Sequence, residues 1–177
     1  MTQLREGFGI LKVFGAFLGV MAVLVSGCRI EQDQRLPLMI NLYSELRQYA
    51  AEHGGFFPSG PGGDATALGQ LFPVYSARGK ELAGLTGDIN LAMRILKSGK
   101  QLTTNQTSWV YVEGLRSTDN QQVALFWERE PGVLPTGQRV QGVGHTVMLL
   151  SGQVTNIADA DWSTFLDTQQ SMRGKTR

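Results

Sequence analysis

The stretch Leu36–Ser59, LPLMINLYSELRQYAAEHGGFFPS, constrains this chain more than any other. Leu42, Leu46, Tyr49 and Ala50 recur at helical spacing, with Glu45, Arg47, Gln48 and Glu52 on the other sides. A helix with one apolar stripe is stable only when something covers the stripe, so the rest of the chain must supply the cover. Gly54 and Gly55 end the helix, because glycine enters the left-handed conformation of a helix C-terminus without strain, and Pro58 prevents a restart. Pro37 fits a first helical turn, which places the start near Leu36.

The cover has to come from downstream. Trp109–Val112 and Val123–Trp127 are rich in β-branched and aromatic residues and are separated by the polar loop Arg116–Gln122, which predicts two strands. Thr146–Leu150 and Gln153–Ile157 flank Ser151-Gly152, a two-residue connection of hairpin length. Pro131–Gly144 is a glycine- and proline-rich excursion between these pairs. Nearer the helix, Gly60–Gly69 reads as a loop, and it lacks the Gly-Lys-Ser/Thr ending of a phosphate-binding loop. Leu68–Tyr75 is apolar with an internal Pro73, which suits a short docking segment better than a central strand. Asp88 is an N-cap for a short helix ending before Gly99, with Ile89, Ala92 and Leu96 along one side. Asp161 caps a last helix, Trp162–Gln169, whose Trp162, Phe165 and Leu166 can pack inward; the basic end Arg173–Arg177 reads as a frayed tail.

The 177 residues suit one domain plus an N-terminal targeting segment. A net charge of +1 leaves no electrostatic footprint for nucleic acid. One cysteine excludes an intrachain disulfide, and with two histidines it makes a zinc site of the usual ligand types hard to assemble. At the N-terminus, Arg5 and Lys12 precede the uncharged run Val13–Val25, the pattern of a secretory signal. The apolar span to Gly27 falls short of the roughly 20 residues that cross a bilayer. Its ending, Val25-Ser26-Gly27-Cys28, resembles the lipobox of bacterial lipoprotein signal peptides, and that resemblance makes Cys28 the lipidated first mature residue. Two other readings stay open. One is an uncleaved signal anchor. The other is prepilin-type cleavage after Gly7, because Glu6-Gly7-Phe8 resembles a prepilin site, although Lys12 stands where that family carries a glutamate.

The order of the pieces also resembles a family. Tyr49-Ala50 followed by Gly54-Gly55-Phe56-Phe57-Pro58 is similar to the membrane-proximal signature of type II secretion pseudopilins. Leu68–Tyr75, Trp109–Leu115, Val123–Glu128 and Gly144–Val154 resemble successive segments of the planctomycete and verrucomicrobial branch of that family, from about Leu36 to Leu166. Ser151 replaces the hairpin aspartate of that branch, and Gln141 stands where its spaced histidine would fall. The resemblance implies a pilin-like body on a membrane anchor, in contact with other pseudopilins or secretion-system proteins.

Catalytic patterns are sparse. His145 begins an apolar strand with no nucleophile or orienting carboxylate near it in sequence, so it reads as a strand-end histidine in a hydrogen bond. His53 sits at a helix C-terminus, where a cation suits the dipole. Glu128 with Glu130 would share a strand face only if the strand runs through both, and Asp159 with Asp161 precede a helix they can cap. The dense oxygen pattern of a calcium loop is missing, so no metal and no cofactor are expected. No serine lies in a Gly-x-Ser-x-Gly setting. Trp109, Tyr111 and Trp127 pack against the Leu42-Leu46-Tyr49 stripe or, as the functional alternative, form an exposed aromatic face that binds carbohydrate or peptide.

The expected fold is therefore α+β: an N-terminal helix packed on a small antiparallel β-sheet, pilin-like, with a short C-terminal helix. Residues 1–28 form the signal peptide or membrane anchor, 29–170 the pseudopilin-like domain and 171–177 a flexible basic tail. The expected function is noncatalytic: a membrane-anchored protein of the bacterial cell envelope, facing the periplasm, held by lipid at its N-terminus and acting through protein–protein contacts with type II secretion or pilus-like machinery. The alternative is a cell-envelope lipoprotein that binds a ligand, carbohydrate or peptide, in the glycine-rich loop region. An enzyme ranks third.

Overall fold

Residues 35–52 form helix α1, and the computed structural model describes residues 35–133, 138–140 and 142–174. Leu38, Met39, Leu42, Leu46 and Ala50 are buried along one side of α1, with Tyr43, Glu45 and Tyr49 half-buried at its flanks. The helix stops where its glycines predict. Gly54 and Gly55 take φ of 64° and 87°, and the Gly55 N–H donates to Ala50 O at 2.8 Å.

Four antiparallel strands follow in sequential order: β1 (Trp109–Tyr111), β2 (Ala124–Glu128), β3 (His145–Leu149) and β4 (Val154–Ile157). Register assigns the faces. Trp109, Tyr111, Phe126 and Met148 join the core that contains the α1 stripe, whereas Trp127 pairs with Val110 and Val147 on the other face. A bulge between Ala124 and Phe126 interrupts the alternation of β2. It lets two successive residues, Leu125 and Phe126, enter the core under α1, while Ala124 joins Val147 and Leu149 in a second cluster beyond the sheet.

The β3–β4 connection has three residues rather than two. Gly152 N–H donates to Leu149 O at 2.9 Å and Leu149 N–H to Gln153 O at 2.9 Å, so Leu150, Ser151 and Gly152 form the loop, with Gly152 at φ 85°. This is a type I turn closed by a left-handed glycine, and Ser-Gly satisfies it as well as a two-residue turn. Leu150 is pulled into the core, and its carbonyl accepts the Tyr43 hydroxyl at 3.0 Å. α1 is thereby fastened to the far hairpin. Gly152 permits the approach, since a Cβ there would lie 2.9 Å from the Tyr43 ring.

Between α1 and the sheet, three short helices line the core: α2 (Asp64–Gly69), α3 (Lys80–Ala83) and α4 (Ile89–Lys97). The loop expected over Gly60–Gly69 is thus corrected. Ala65, Thr66, Ala67 and Leu68 are all buried, and that burial overrides the glycine-rich composition around them. Leu68, in the last turn of α2, and Leu71 are buried in the docking segment, whose residues 70–75 form turns and no strand. The Asp88 carboxylate caps α4 through Leu91 N–H at 2.9 Å; of its expected stripe, Ala92 and Leu96 are buried and Ile89 is exposed.

A 3₁₀ turn, Asp159–Asp161, leads into α5 (Trp162–Gly174), which covers the second sheet face with Trp162 and Phe165. Two expectations change here. Asp161 lies inside the 3₁₀ turn rather than capping α5, and residues 171–174 belong to the helix rather than to a tail. Gln169 ties α5 to the sheet. It is 3% exposed; its Oε1 accepts Ala124 N–H at 2.7 Å and its Nε2 donates to Gln122 O at 3.2 Å. Gln169→Ala is expected to cost about 1–3 kcal/mol, because it strands a buried backbone donor at the start of β2. Urea denaturation measures this, and a loss below a few tenths of a kcal/mol would show that water replaces the amide.

Candidate functional site

The three aromatic residues expected to bind do not converge. Trp109 is fully buried, edge-on to Phe126 at 5.4 Å, and its Nε1 donates to Glu81 O at 2.6 Å. Tyr111 is buried too; its hydroxyl donates to Pro58 O at 2.9 Å, and desolvation raises its pKa well above the usual phenol value. Trp127 lies on the opposite face, half-buried and edge-on to Trp162 at 5.7 Å. Trp109 and Tyr111 are core groups whose polar ends brace α3 and the loop at Pro58; an exposed aromatic face is not formed by these three.

A cleft of about 580 Å³ opens in the glycine-rich excursion, lined by Pro131, Arg139, Val140, Val143, His145 and Asp159 among others. His145 stacks flat on Trp162, with ring centroids 3.7 Å apart. Its Nε2 is 3.6 Å from Asp159 Oδ1, and its Nδ1 is buried with no hydrogen-bond partner. The hydrogen bond expected of this histidine is replaced by stacking and a loose carboxylate contact. Burial lowers the His145 pKa, partly offset by Asp159, which favours the neutral imidazole. The described lining residues include no serine, threonine or cysteine. A strong signal for it was absent from the sequence, because Arg139, His145 and Asp159 come from three separate segments.

The other ionisable candidates are distributed differently from the sequence expectation. Strand β2 ends at Glu128, so Glu128, buried, and Glu130, exposed, do not share a strand face. His53 stacks on Tyr49 at 3.8 Å and its Nδ1 lies 2.8 Å from Tyr49 O. Beside it the Tyr75 hydroxyl donates to Glu52 Oε2 at 2.6 Å, a bond that pushes the Tyr75 pKa up to about 12.

Glu45, which the sequence places on a polar side of α1, is partly buried beside Ser76 and feels the negative charge of Glu81 in α3. Burial first, then Glu81, push its carboxyl up to about 7, with Ser76 acting in the opposite direction. The folded pKa lies above the unfolded one, so Glu45 favours folding below the unfolded value of 4.5, and this contribution is lost as pH rises through about 7. Glu45→Gln is therefore expected to stabilise the protein at pH 8 by about 1–2 kcal/mol after allowance for solvent screening, and to leave it unchanged at pH 4. Urea unfolding at the two pH values checks this; equal effects at both would place the strain elsewhere.

Cys28 and the cleavage position after Gly7 lie outside the described residues. Among the described residues no helix is long and apolar enough to cross a membrane, and no three His, Cys, Asp or Glu side chains gather as a metal-binding set. Comparison with known proteins found no match of any kind: no family model, no curated protein and no solved structure aligns with the chain.

Proposed function

We propose that the chain is a noncatalytic, membrane-anchored pseudopilin-like protein of the bacterial cell envelope that acts through protein–protein contacts. The observation that supports this reading is the arrangement of α1. Its inner stripe is buried on an antiparallel meander, and its outer side carries Leu36 and Ile40, 45% and 51% exposed and one helical turn apart. Apolar side chains held outward on a rigid helix suit a neighbouring helix better than they suit water. Lipidation at Cys28, or cleavage after Gly7, would set how this helix is presented at the membrane.

The test is site-specific photocrosslinking from Ile40 in native membranes, beside the intact mass of the extracted protein and of a Cys28→Ala variant. Adducts with proteins that carry prepilin-type N-termini are expected. A chain that starts at acylated Cys28 and gives no such adducts would reject assembly with secretion machinery. A second reading, a ligand-binding lipoprotein, is favoured by the cleft beside His145 and gains if that outcome is found.

A further inference from the structure

The described part of the glycine-rich excursion is held in place where it meets the ends of β3 and β4. Val140 N–H donates to Gly132 O at 2.8 Å, and the Asn156 amide donates to Val143 O at 2.8 Å. Gly144 turns the chain into β3 at φ 68°, where a Cβ would lie 2.5 Å from Ile157 O. These bonds steady one wall of the cleft, and the His145 ring, clamped on Trp162, forms another. Two charges of opposite sign line the same space from separate segments: Arg139 on the excursion and Asp159 in the 3₁₀ turn before α5. Among the described residues no ion pair joins the two; Asp159 instead lies 3.6 Å from His145 Nε2. Pro131, Val140 and Val143, all half-buried, line the same cleft with apolar surface.

We propose that this cleft binds a zwitterion with an apolar body, a free amino acid or a short peptide. Arg139 takes the carboxylate, because a guanidinium presents its donors as a fork that fits one. Asp159 takes the ammonium through Oδ2, since Oδ1 is the atom nearest His145. Burial keeps His145 neutral, so it adds no second cation and the cleft stays balanced between one positive and one negative group. A ligand with a single charge leaves the opposite group without a partner, which is the basis of the selectivity. Pro131, Val140 and Val143 meet the aliphatic part. The volume of about 580 Å³ lies within the roughly 300–1,000 Å³ of small-molecule sites. This site rests on the second reading above, binding in the cleft, and gives it a ligand class; it is independent of which neighbour α1 meets.

Isothermal titration calorimetry on the membrane-extracted full chain is the test. The probes are L-leucine and Leu-Leu as zwitterions, N-acetyl-leucine without the ammonium, leucinamide without the carboxylate, and glucose as a neutral ligand. At least one zwitterion is expected to bind, and removing either of its charges to weaken binding by about 10- to 100-fold. The preference between leucine and Leu-Leu tells a free amino acid from a peptide. Arg139→Gln should cost a similar factor toward the zwitterion and nothing toward leucinamide; Asp159→Asn should do the same and spare N-acetyl-leucine. The capped leucines test the wild-type chain, so the comparison stands even if a variant is unstable. Capped leucines that bind as tightly as the zwitterion, or variants that leave its affinity unchanged, would overturn the proposal. Glucose binding without zwitterion binding would overturn the ligand class and keep the ligand-binding reading. Heat from none of the probes would reject both.

Discussion

Trp109→Ala is expected to lower the unfolding free energy by about 3–5 kcal/mol, the range for removing a large aromatic side chain from a packed core. The ring is fully buried and edge-on to Phe126, in the same cluster as the α1 stripe, so no solvent is available to fill the space it leaves. Its Nε1 bond to Glu81 O adds a separate, smaller contribution. Trp109→Phe removes that bond but keeps much of the ring, and is expected to cost about 1–2 kcal/mol. Chemical denaturation followed by far-UV circular dichroism measures both. Equal losses would mean that the hydrogen bond, not the ring, holds β1 to α3.

Gly84→Ala should be comparably severe for a different reason. Gly84 adopts φ 75° and ψ −168°, a region essentially closed to residues with a Cβ. A Cβ there would also land on Ser108 Oγ and sit 2.9 Å from Trp109 Cε2. Backbone strain of about 1–3 kcal/mol and overpacking of about 1–3 kcal/mol together give about 2–6 kcal/mol. Gly99→Ala is the control: φ is 73°, but nothing lies within 4 Å of the added methyl, so only about 1–2 kcal/mol of conformational strain is expected. If the two variants lose the same stability, close packing at Gly84 is not the cause.

The elements read correctly from sequence are those with a local physical signature. The α1 stripe, its glycine stop, the Asp88 cap and the paired β-rich runs each depend on neighbours a few positions away. The misread elements depend on distant ones. Six residues, Asp64–Gly69, become helical because burial on both sides rewards it, and glycines around them conceal this. The bulge in β2 and the docking of α5 through Gln169 come from pairing between segments that share no pattern. The same holds for chemistry. His145 stood out in sequence, but its stacking on Trp162 and the cleft beside it did not, and Glu45 read as a surface residue although the fold partly buries it.

The bond from the Tyr43 hydroxyl to Leu150 O spans 107 positions. On a ribosome adding about 5–20 residues per second, α1 therefore exists for roughly 5–20 s before the hairpin that fastens it has been made. Through that interval Leu38, Met39, Leu42 and Leu46 lack their final partners and are open to association with other chains. A nascent chain with this layout gains from a chaperone or a nearby bilayer that shields α1, and arrest of synthesis before residue 150 should leave a species that aggregates.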